Sequence, residues 1–163
     1  MFPNPVDKGG QLYQPSATVA RLIGPKLSPI AFAALHSWET ANMHTISVGL
    51  ARPEDLDEVL DAAMLFNKEE MKPLLKEAEE RLVNHSKQTL GKEWHEKSLL
   101  NLPSCFDESS AGLALGHILW CSNMIHAYGM YDCAHARYFM LEKTKWNYKK
   151  SFEDNIKAMY VFY

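Results

Sequence analysis

Cysteine is scarce in this 163-residue chain: Cys105, Cys121 and Cys133 make an odd set with no CxxC spacing. A disulfide framework wants an even count in a small secreted chain, so a reducing, cytoplasmic setting is expected. Excess positive charge is also missing. Seventeen Lys and Arg against 20 Asp and Glu leave a net charge of −3, which excludes a general affinity for nucleic acid. The first residues, Met1-Phe2-Pro3-Asn4-Pro5-Val6-Asp7-Lys8, set two prolines and an acid where a secretory signal would carry its apolar core. There is no internal repeat and no low-complexity tract. A complete (β/α)8 barrel needs about 200–250 residues, more than the chain has.

What is there fits a folded domain: 47% hydrophobic, 11% aromatic and 23% charged residues. Residues 1–28 carry Pro3, Pro5, Pro15 and Pro25 with Gly9, Gly10 and Gly24, which reads as a loop around a short helix at Ala17–Ile23. Ser28-Pro29 looks like an N-cap with proline in the first turn. Ile30, Ala33, Ala34, Trp38 and Ala41 then recur at helical spacing to about Asn42. His44-Thr45-Ile46-Ser47-Val48 is β-branched and stops at Gly49, so a short buried strand is predicted. Pro53-Glu54-Asp55 opens the next helix with acids in its first turn, and Leu56, Leu60 and Ala63 or Met64 form its apolar stripe. Asn67 to Glu70 suggests a capping box before a long amphipathic helix that reaches Leu90 and carries Leu74, Leu75, Ala78 and Leu82 on one side. Gly91 punctuates it. A shorter helix follows over Lys92–Leu100, then two packed apolar helices from Ser109 onward, broken near Gly129. Lys143–Lys150 reads as a loop before a last helix.

A β-branched strand, a glycine, an arginine and an acid-rich helix start together form a strand-to-helix unit with an anion-binding tip. Arg52 offers a planar donor fork suited to phosphate, or else a partner for Glu54 or Asp55. The segment His44–Ala62 (HTISVGLARPEDLDEVLDA) resembles the last strand and helix of the aldo-keto reductase barrel. Asn4 to Leu12 is similar to that family's Ser-Pro-Leu-x-x-Gly-x-Leu stretch after the seventh strand, and Pro29–Asn42 sits where the seventh helix would lie. The resemblance covers about residues 3–63. It implies an NADP-dependent carbonyl reductase scaffold in which Asn4, Pro5 and Val6 line the pyrophosphate side. Gly49, Leu50 and Arg52 would receive the adenosine 2′-phosphate, and Glu58 the adenine edge. Val59 replaces the family's adenine-facing Asn, and Asn4 its Ser. The family's catalytic Asp, Tyr, Lys and His belong to strands that this chain does not contain, so no reductase activity is expected of it alone.

The remaining hundred residues loosely resemble the helical extension that some aldo-keto-reductase-like proteins carry. Three alternatives attach to them. His117 and Cys121 at i, i+4, with His126, Cys133 and His135, are zinc-type ligands, or else core side chains; Cys121 with His117 is also the arrangement of a nucleophilic dyad. Ser109–Tyr131 runs 23 positions without a charge and contains GxxxG at Gly112–Gly116, a length that spans a bilayer, although its Ser, Asn and His residues suit a buried helix better. Lys143, Lys145, Lys149 and Lys150, interleaved with Trp146 and Tyr148, read as a solvated loop or an anion-binding one. The apolar end Ile156–Tyr163 suggests truncation, burial or a docked partner.

The expected fold is therefore mostly α, with a partial α/β segment (an incomplete TIM-barrel end, residues 1–66) followed by a helical extension (67–163). The expected function is that of the C-terminal portion of an aldo-keto-reductase-like NADP-dependent oxidoreductase. The alternative is a helical structural or interaction subunit that meets other protein chains or itself, with membrane association through 109–131 as a variant.

Overall fold

A computed structural model of the chain describes residues 15–50, 52–103 and 114–142. They are mostly helical, with no strand among the described residues. Seven helices occur there: α1 Ala17–Ile23, α2 Pro29–Glu39, α3 Glu54–Phe66, α4 Met71–Leu90, α5 Lys92–Lys97, α6 Leu115–Tyr128 and α7 Tyr131–Glu142. The chain divides into two units, Met1–Asn84 and His85–Tyr163, and the division falls inside α4.

In the first unit, α1 and α2 begin as expected. Ser16 Oγ accepts from Val19 N–H at 3.1 Å and Ser28 Oγ from Ala31 N–H at 3.0 Å, which satisfies donors that a helix start otherwise leaves open. Every residue from Ile30 to Ser37 is buried, so α2 is the unit's central rod; PIAFAALHSWE is apolar on all sides and suits that place. Two polar clasps tie it to α4. His36 Nδ1 and the Thr40 hydroxyl both meet Glu79 Oε1 at 2.8 Å, and Lys72 Nζ reaches Glu39 at 2.7 Å. Further along α4, the Arg81 guanidinium donates to the carbonyls of Leu22 and Ile23 and pairs with Glu77. Those carbonyls belong to the last turn of α1, where no intrahelical donor is left for them. Gly24 follows with φ 93° and ψ 178°, a conformation that side chains strain to adopt.

Two expectations for this unit are corrected. Residues 44–48 are irregular rather than a strand. β-branched residues favour a strand only where a neighbour completes the ladder, and no described segment offers one, so His44, Thr45 and Ser47 stay exposed to water. The partial α/β segment is thus helical and irregular over its described residues, with Asn4, Pro5 and Val6 outside them. Nor does Asn67 cap α4. It ends α3 instead, and residues 67–70 form a turn in which Met71 N–H reaches Lys68 O at 3.1 Å.

In the second unit α6 and α7, joined by a two-residue turn, pack against each other. Gly129, at φ 65°, closes α6 by donating back to Ile125 O at 2.8 Å, and Met130 N–H returns to Met124 O at 3.2 Å. Trp120, Cys121, Met124, Ala127, Tyr128, Met130 and Ala134 form its apolar core. The uncharged run of 109–131 is therefore interrupted by a turn at Gly129. Among the described residues no helix is long and apolar enough to cross a membrane; Ser109 to Leu113, Cys105 and the lysine segment 143–150 lie outside them.

Candidate functional site

The site begins with the way α3 turns. At 100° per residue, Leu56, Leu60 and Met64 share one face and Asp55 and Ala62 another. The apolar count predicts that the leucine face goes inward, and the structure reverses this. Asp55 and Ala62 are buried (3% and 1% exposed), whereas Leu56, Leu60 and Met64 stand 45%, 50% and 63% exposed. The reversal has a local cause at the helix start. Asp55 accepts from Arg52 N–H at 3.0 Å through one oxygen and from the Arg52 guanidinium at 2.9 and 3.1 Å through the other. This clasp fixes the first turn of α3 with its carboxylate turned inward and satisfied.

Beside the exposed strip lies a cavity of about 380 Å³, lined by Trp38, Asn42, Met43, His44, Ala63 and Phe66. Its walls are the last turns of α2 and α3. Trp38 and Phe66 meet edge to face, centroids 5.6 Å apart at 70°, which is the favoured geometry for an aromatic pair. Asn42 sits in the left-handed region (φ 51°), which asparagine tolerates, and that bend lets Met43 N–H return to Ser37 O at 2.9 Å and brings Met43 to the cavity. His44 Nδ1 and Thr45 Oγ1, 2.8 Å apart, stand on the exposed side. The floor is apolar and aromatic, the rim polar. Ala63 belongs to both cavity and strip, so the two form one continuous surface.

The charged side chains of α3 itself have one sign. α3 carries Glu54, Asp55, Asp57, Glu58 and Asp61 and no basic residue. Asp55 is taken by Arg52, but Asp57 and Asp61 make no ion pair among the described residues. The cavity also faces the C-terminal ends of two helices, where the helix dipole is negative. The last turn of α3 has no basic side chain to offset it.

Of the residues that the aldo-keto reductase resemblance singled out, Asn4, Pro5 and Val6 lie outside the described residues, and Gly49, Leu50, Arg52 and Glu58 do not line the cavity above. Gly49 and Leu50 lie in the irregular segment, and Glu58 is half-buried on α3. Arg52 is exposed and bound to Asp55, whose carboxylate raises the guanidinium's pKa further above its ordinary value. The predicted phosphate fork is thus occupied by a carboxylate of its own chain.

In the second unit a polar network surrounds a cleft of about 290 Å³. Ser86 Oγ lies 2.8 Å from His95 Nδ1 and also bonds the Tyr128 hydroxyl; Trp94 Nε1 donates to Asn123 Oδ1 at 2.8 Å, and Asn123 Nδ2 to Ser98 Oγ at 3.2 Å. A serine beside a histidine suggests a nucleophile. Ser86, however, is buried at the wall of the cleft, and its hydroxyl is already engaged by His95 and Tyr128. Burial and the nearby Lys87 lower the pKa of His95, and burial lowers that of His117. Burial pushes the Cys121 thiol up to about 11 and raises Cys133 as well, the reverse of what a reactive thiolate needs. Among the described residues no three His, Cys, Asp or Glu side chains converge as a metal site would require. The strip of α3, which the sequence marks as that helix's apolar stripe, and the cavity beside it remain. Their signal in the sequence was the unbroken acidity beside Leu56 and Leu60. No family model, curated protein or solved structure matches the chain, so the resemblance rests on its motifs alone.

Proposed function

We propose that the α2–α3 face is a protein-docking surface and that the chain acts as an interaction module. The observation that carries this reading is the strip Leu56–Leu60–Met64 left open to water and running into the Trp38–Phe66 cavity. Half-exposed side chains of this size forgo roughly 1 kcal/mol each relative to full burial, which a partner covering them would recover. An apolar strip ending in an aromatic pocket is the form that helix-binding grooves take, with the pocket receiving an anchor residue. The competing proposal, an NADP module derived from an aldo-keto reductase, would need Arg52 to exchange Asp55 for a phosphate. A fluorescence titration that gives no NADPH binding at millimolar cofactor removes it.

Photo-crosslinking tests the docking role directly. A benzophenone amino acid replaces Met64 in the full chain, and a control chain carries it at the exposed Lys76 of α4. Discrete adducts are expected from position 64 and not from 76, and they are expected to vanish when Leu60→Lys is added. Adducts that form equally at both positions, or that survive Leu60→Lys, would count against the reading.

A further inference from the structure

We infer that the partner of the α2–α3 face is a basic amphipathic helix, its apolar side laid on Leu56, Leu60 and Met64 and its lysines or arginines beside the acids of α3. The inference rests on the docking role proposed above and adds the chemistry of what docks. Three observations set that chemistry.

The first is the order of faces on α3. Going round the helix, the buried side at Asp55 and Ala62 is followed by the exposed apolar strip, and then directly by Glu54, Asp57 and Asp61, all exposed. Whatever covers the strip must lie against those carboxylates along one edge. Asp57 and Asp61 are one turn apart and repel one another, so a cation between them is stabilising where a neutral or acidic edge is not. The second observation is the cavity's position at two helix C-termini. The negative ends of both dipoles favour a positive group at its rim, where Trp38 is among the lining residues. The third is length. Leu56 to Met64 spans about 12 Å along the axis, or roughly two turns, which matches apolar side chains at i, i+4 and i+7 of a docked helix.

The same charges disfavour the other occupants. In an antiparallel two-fold pairing of α3 with a second copy, the acidic edge would face its own image. An anionic lipid surface or a nucleic acid would be repelled by the edge that flanks the strip. An acidic peptide would meet like charge at every turn.

A pair of synthetic peptides of about 14 residues separates the possibilities. Both carry leucine at i, i+4, i+7 and i+11; one has lysine and the other glutamate at every flanking position. Binding to the full chain is read by the Trp38 contribution to fluorescence, against a Trp38→Phe chain as background, and by calorimetry. The lysine peptide is expected to bind at least about tenfold tighter than the glutamate peptide in low salt, with the gap narrowing as salt rises. In a chain carrying Asp57→Lys and Asp61→Lys the preference is expected to invert. Both positions are exposed, and a circular dichroism spectrum matching the parent shows that the variant is folded. Equal affinity for the two peptides, weakened equally by Leu60→Lys, would overturn the basic partner and leave the docking surface standing. If neither peptide binds while Met64 still gives its specific crosslink, the partner class is likewise wrong and the docking role survives. Loss of both signals removes both.

Discussion

Gly24→Ala is expected to cost more than its backbone conformation alone explains, because the new Cβ meets Arg81. At φ 93° and ψ 178° the residue occupies a region open almost only to glycine, and an alanine there costs roughly 1–3 kcal/mol. A Cβ on that backbone would lie 2.8 Å from Nη2 of Arg81 and 3.4 Å from its Cζ. The end of a long side chain normally moves aside at little cost. This one is pinned by the Leu22 and Ile23 carbonyls and by Glu77. Displacing it leaves two carbonyls of α1 without their donor, about 1 kcal/mol each for a guanidinium that is a third exposed. The total is about 3–5 kcal/mol. A double-mutant cycle with Arg81→Met, read by urea unfolding, separates the two parts. In the Arg81→Met background the alanine should cost only the backbone part, which gives a coupling of about 2 kcal/mol. Gly91→Ala is the control, since φ is 86° there and nothing lies within 4 Å of its added Cβ. If Gly24→Ala costs the same with and without Arg81, the guanidinium is not the cap of α1 and the reasoning fails.

Two further outcomes concern the second unit. Burial lowers the pKa of both His95 and His117, so the folded chain refuses protons that the unfolded chain accepts. Stability should be complete above about pH 6.5 and fall as the pH drops below it, down to the lower pKa values of the folded state. Melting curves at a series of pH values check this: a flat profile between neutral and mildly acid pH would contradict it, and His117→Asn should make the fall shallower. A Cys121 thiol pushed up to about 11 is ionised only to about one part in a thousand at pH 8. Mass-mapped alkylation with iodoacetamide should therefore leave Cys121 unmodified in the native chain and label it readily in urea; rapid native labelling would show the thiol to be exposed.

The helices were legible in the sequence wherever a local signal fixed them. Ser28 before Pro29, Gly91 after Leu90 and Gly129 after Tyr128 each mark a boundary by a mechanism that acts within a few residues, and the structure places the boundaries there. Residues 44–48 show the opposite case. Their β-branched side chains state a preference that only a neighbouring strand can satisfy, and propensity contains no information on whether one exists. The capping signal at Asn67 failed for a related reason: a polar residue between two helices can end the first as well as start the second.

The face of α3 was misread for a reason that bears on the site itself. Periodicity identifies which residues share a side of a helix and leaves open which side turns inward. Counting apolar side chains sends Leu56 and Leu60 to the core, but the core also has to accept the carboxylate of Asp55, and it does so because Arg52 arrives three residues earlier with both its amide and its guanidinium. Arg52, which the resemblance to a reductase marked as a phosphate ligand together with Gly49 and Leu50, is thus the residue whose pairing holds Asp55 inward while the leucines face outward. Binding a phosphate at Arg52 and presenting the strip are linked through Asp55: freeing the guanidinium would take the charged part of the clasp from a buried carboxylate and leave it the Arg52 amide. A phosphate at Arg52 would have to displace the clasp that accompanies the exposed strip, and the hydrogen bonds in the structure keep that guanidinium on Asp55.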